Sequence, residues 1–70
     1  MDTPLLAEFD NYPEVAPTDP AKKILFAVLF DLFGRSGLDH QWTGIDDEIK
    51  EELLETNLEI VRQNMPSSQD

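Results

Sequence analysis

The chain contains no cysteine, so disulfides and thiolate metal sites are excluded. It has a single histidine, His40, and cannot build a multi-histidine metal site alone. Bases are scarce: five Lys and Arg stand against fifteen Asp and Glu, giving a net charge of −10. A nucleic-acid binder needs the opposite sign to neutralise phosphates, so direct DNA or RNA binding is not expected. Attraction to anionic lipid is disfavoured for the same reason. The first residues lack the basic stretch of a signal peptide. No apolar run approaches the ~20 residues of a membrane span. The expectation is a soluble, cytoplasmic protein that does not touch a membrane.

With 70 residues the chain is at most one small domain. A core of that size rarely supplies more than ~3–5 kcal/mol, and small proteins add disulfides, metals or partner subunits. With disulfides and the usual metal sites removed, oligomerisation is the expected staple.

What is present begins with an acidic arm. Residues 1–20, "MDTPLLAEFDNYPEVAPTDP", carry five acids, no base and four of the five prolines. Proline breaks any long helix here. A flexible acidic arm over residues 1–19 is one reading. The other is an arm that docks through Leu5, Leu6, Phe9 and Tyr12, with "LLAEF" forming a short helical turn.

A helix start signal follows. Asp19 suits an N-cap, and Pro20 suits the first helical position, where its missing N–H costs nothing. In "AKKILFAVLFDLFGR", nine of the ten residues 24–33 are apolar. The predicted first helix runs from Pro20 to about Phe33, and Gly34 and Gly37 supply the stop, since glycine accepts the left-handed conformation. Two stripes emerge at 100° per residue. Ala21, Ile24, Leu25, Val28 and Leu32 form one; Phe26, Leu29, Phe30 and Phe33 form the other. A helix apolar on nearly all sides expects cover on all sides.

Residues 34–45 read as a connector, with Leu38 and Trp42 spaced for one helical turn and Trp42 as a plug over the helix junction. Thr43 and Asp46 are candidate caps for a second helix running to about Asn64, before Pro66. On that helix Glu48, Glu51, Glu52, Glu55, Glu59 and Arg62 share an arc of about 100°. Ile45, Ile49, Leu53 and Ile60 make one apolar stripe, and Leu54, Leu58, Val61 and Met65 a second. Residues 66–70 read as a disordered polar tail.

Both helices carry more apolar surface than one antiparallel pair can hide. The fold class expected is therefore all-α: a helical hairpin over residues 20–65, two main helices plus a short connecting turn, paired with its own copy as a homodimeric four-helix bundle. The expected interface is Phe26, Leu29, Phe30 and Phe33 with Leu54, Leu58 and Val61.

Catalytic patterns are sparse. The Glu48–Glu51 and Glu52–Glu55 spacings suit magnesium-binding pairs, but such sites need a facing acidic pair and the first helix offers only Asp31. Asp39 and His40 are adjacent, which does not aim one side chain at the other. Nothing resembles a nucleophile elbow or a phosphate-cradling loop. No enzyme and no cofactor are expected.

The stretch "LFDLFGRSGLDHQWTGIDDEIKEELLETNLEIV" resembles short acidic proteins of phages and prophages. The shared features are an apolar helix ending in a Gly-containing turn, then Gly-Leu, Trp42 and "IDDEIKEEL" opening a second helix. They cover roughly residues 28–61. The resemblance implies a phage-type accessory protein whose task is to bind a host or phage protein.

The expected function is thus a non-catalytic protein-interaction module, accessory or inhibitory. Its acidic ridge of Glu48, Glu51, Glu52, Glu55 and Glu59 would face a partner with a basic surface. An alternative is an acidic DNA mimic. Charges along a helix face recur every 5–6 Å, close to the spacing of phosphates along one strand, and would block a nucleic-acid-binding protein.

Overall fold

Asp19 opens the long apolar segment as its sequence predicts. Its carboxylate accepts the Ala21 N–H at 2.9 Å, and Pro20 follows as the first helical residue. The computed structural model describes residues 3–66 and holds four helices: α1 (Pro4–Asp10), α2 (Pro20–Phe33), α3 (Leu38–Thr43) and α4 (Asp47–Asn64). No strand occurs among the described residues. The predicted tail beyond Pro66 lies outside them.

α2 and α4 run antiparallel. At one end Arg62, in the last turn of α4, donates to the Asp19 carboxylate at 2.6 Å. At the other, Trp42 of α3 stacks on Phe33 with centroids 4.3 Å apart, and the Lys50 ammonium lies 5.2 Å from the Trp42 ring centre. α3 is the short turn expected between the two long helices, and Trp42 is buried there.

The hairpin plus turn is not the whole fold. The amino-terminal segment is a docked helix that packs on α4 and α2. Leu6 and Phe9 are buried. The Phe9 ring meets Phe26, Phe33 and Trp42 edge to face, at centroid distances of 5.3, 6.4 and 5.8 Å. Two helices alone would leave Phe26 and Phe33 in water; α1 covers them without a second copy. The core is Leu6, Phe9, Ala21, Leu25, Phe26, Leu29, Trp42, Leu54 and Leu58.

Three local expectations change. Gly34 closes α2 in the right-handed region, φ −88°, rather than the left-handed one. The left-handed glycine is Gly37, φ 97°, at the start of α3. The Thr43 hydroxyl donates to the His40 carbonyl of its own turn instead of capping α4. Asp46 holds the cap position of α4, but its side chain makes no cap bond.

Candidate functional site

Glu51 is the buried acid of α4, 6% exposed. Its two carboxylate oxygens accept the N–H groups of Leu5 and Leu6, at 3.2 and 2.9 Å. These are free donors of the first turn of α1, which every helix must satisfy. Thr3, in the cap position, provides no side-chain bond. Glu51 is therefore a cap supplied from another helix. The expected acidic ridge loses this member, because the carboxylate is consumed inside the fold. Its neighbours Glu48, Glu52, Glu55 and Glu59 are exposed.

The expected interface residues are relocated too. Phe26 and Leu54 are fully buried within the single chain, and Leu29 and Leu58 are buried. Phe33 and Val61 are half-buried and pack against the core. Phe30 alone of the seven remains broadly exposed, at 50%. The physical reason is the amino-terminal segment: Phe9 of α1 and Tyr12 in the turn after it occupy the side of α2 that carries the phenylalanines.

The surface left open is the other stripe. On α2, Ile24, Val28 and Leu32 are substantially exposed, and on α4 Ile49 and Ile60 are. Leu53 lies between them, half-buried. Residues at i, i+4 and i+8 share one line of a helix, as do 49, 53 and 60. On each long helix this line lies on the flank opposite the one that meets α1. α2 and α4 are antiparallel neighbours, and each carries one such exposed apolar line.

Charges around these surfaces are mostly committed locally. Lys22 pairs with Glu8 at 2.8 Å, tying α2 to α1, and Arg35 pairs with Asp31 at 3.1 Å. Arg62, through its hydrogen bond, holds the Asp19 carboxyl below its ordinary range; the Ala21 N–H adds to this, and partial burial opposes it. Asp39 accepts the N–H groups of Gly37 and His40, so its carboxylate serves its own turn and does not orient the exposed His40 ring. No cluster of three or more candidate metal ligands occurs among the described residues. No helix among them is long and apolar enough to cross a membrane.

Comparison with protein-family models, with curated proteins and with solved structures returned no match.

Proposed function

We propose that this chain is a small, non-catalytic protein-interaction module that pairs with a second copy through the outer apolar face of α2 and α4. The observation that carries the reading is the in-line exposure of Ile24, Val28 and Leu32 beside Ile49 and Ile60. Contiguous apolar patches on small proteins mark interaction sites more often than single exposed residues do. Face-to-face pairing would give a four-helix layer, with α1 of each copy on the outside. Burying the exposed part of each side chain contributes about 1 kcal/mol. Association costs offset much of that gain, so the expected pairing is of roughly micromolar strength.

Light scattering over a concentration series tests it. The wild type should pass from monomer to dimer, and Val28→Asp should stay monomeric with an unchanged helical spectrum. A wild type that remains monomeric at high micromolar concentration sinks the proposal.

The exposed ridge favours a second reading. Glu48, Glu52, Glu55 and Glu59 face solvent, and none of them forms an ion pair among the described residues. We propose this ridge as a surface for a basic partner, in the manner of a DNA mimic and in the phage-type setting that the resemblance implies. Capture from a host lysate should then weaken with salt and vanish in the Glu48→Gln, Glu55→Gln, Glu59→Gln variant. Salt-sensitive capture that survives these changes would place the contact elsewhere.

A further inference from the structure

A niche of about 280 Å³ opens between α1 and the carboxy-terminal half of α2. Phe9, Tyr12, Phe30 and Phe33 line it, with Asp10 and Gly34. The rings are set nearly at right angles. Tyr12 and Phe30 meet at 69° with centroids 5.4 Å apart, and Phe9 and Phe33 at 77° and 6.4 Å. An aromatic lining of this kind can attract a cation, since each ring face carries partial negative charge.

Three further observations point to a positively charged occupant. Phe30 stays half exposed at the niche although the arm covers its neighbour Phe26 completely. Asp10 is exposed and joins no ion pair among the described residues. It also ends α1, where the negative pole of the helix disfavours an anion and favours a nearby cation. Finally, the same aromatic cluster already holds one cation internally, Lys50 against Trp42, which itself stacks on Phe33.

We propose that this niche is a binding site for an arginine side chain of a partner protein. A guanidinium is flat and weakly hydrated, so it stacks on a ring and keeps its edge donors for a carboxylate. An ammonium is compact and strongly hydrated, and gives up more on leaving water. In this arrangement the guanidinium lies against Phe30 and Tyr12 and donates toward Asp10. The net charge of −10 raises the local concentration of basic partners. The niche lies on the α1 side of α2, away from the α2–α4 face, so it stands or falls independently of self-association.

The test uses the full chain, N-acetyl-arginine-N-methylamide as probe, and the matching lysine and citrulline compounds. Aromatic NMR signals of Phe30 and Tyr12 should shift saturably with the arginine probe. Citrulline, which has the shape without the charge, should bind at least about threefold more weakly, the factor expected for losing one exposed cation–π contact. Lysine should also bind more weakly. Phe30→Ser should abolish saturation, while Glu55→Gln should not. Should Phe30→Ser disturb the amide spectrum, Asp10→Asn decides, since removing an anion from a helix end that disfavours it does not threaten the fold. Equal binding of citrulline overturns the proposal, as does binding untouched by Asp10→Asn. Equal binding of lysine overturns the choice of arginine. Shifts confined to the Glu48–Glu59 face would show that the probe is held by the ridge instead.

Discussion

The Glu51 carboxylate accepts the Leu6 N–H at 2.9 Å, and so fastens the first helix to the last. The same side chain also takes the Leu5 N–H. Glu51→Ala leaves the buried Leu6 donor and the half-buried Leu5 donor without a partner, at a cost of about 1–3 kcal/mol. Glu51→Gln keeps an acceptor oxygen and should cost less. Hydrogen exchange at Leu5 and Leu6 is the measurement: protection should fall in the alanine variant and partly return in the glutamine one. Unchanged protection in Glu51→Ala would mean that apolar contacts alone hold α1.

Asp19 gives the fold a dependence on acid. Its folded pKa lies below the ordinary value of 3.8, chiefly through the hydrogen bond from Arg62. The unfolded chain therefore binds the proton more readily. The stabilisation is complete above the ordinary value and is lost as pH falls through the folded one. Urea midpoints measured between about pH 6 and pH 2 should drop less steeply in Asp19→Asn than in the wild type. Equal slopes would remove Asp19 from the acid response.

Asp19→Ala should also cost about 1 kcal/mol at neutral pH through the lost cap. In a domain of this size that lowers the melting temperature by roughly 4–8 °C. Arg62→Ala leaves the Ala21 bond in place and should cost less.

Gly37 and Gly34 are predicted to respond differently to alanine. Gly37 has φ 97°, where a side chain is strained, although nothing lies within 4 Å of the added atom. Gly37→Ala should destabilise by about 1–2 kcal/mol. Gly34 has ordinary φ, and a Cβ there would sit 3.2 Å from the Phe30 carbonyl oxygen, a contact that a small shift relieves. Its cost should be the smaller one, and thermal melts of the two variants check the order.

Trp42 is a core residue touched by Phe9, Phe33 and Lys50. Trp42→Ala should cost about 3–5 kcal/mol, enough to unfold most of a chain of this size. Trp42→Phe keeps part of the volume and should remain folded. Urea titration followed by circular dichroism separates the two.

The long helices were legible because their signals are local. Asp19–Pro20 marks a start, Gly34 a stop, and the run of Asp46, Asp47 and Glu48 a second start. The apolar stripes were legible too, but not which one would face inward. That choice depends on α1, whose seven residues are too few to form a helix unaided. Leu6 and Phe9 become helical because Phe26 and Glu51 receive them, and the sequence does not display that pairing. Glu51 shows the difficulty clearly. By helical spacing it belongs with Glu48 and Glu55, yet it sits at the edge of that arc, next to Leu54 and Leu58. Its place at the boundary was readable, but the donors it serves, more than forty residues away, were not.

The cap on α1 also has a consequence for the order in which the chain acquires its shape. Synthesis delivers Leu5 and Leu6 early and Glu51 late. A seven-residue helix does not persist without support. Until α4 has been made, the first segment lacks its cap and the α4 side of its apolar bed, although Phe9 can already meet Phe26, Phe33 and Trp42. The first helix is therefore capped only once the last has formed, the reverse of the order in which the two are synthesised.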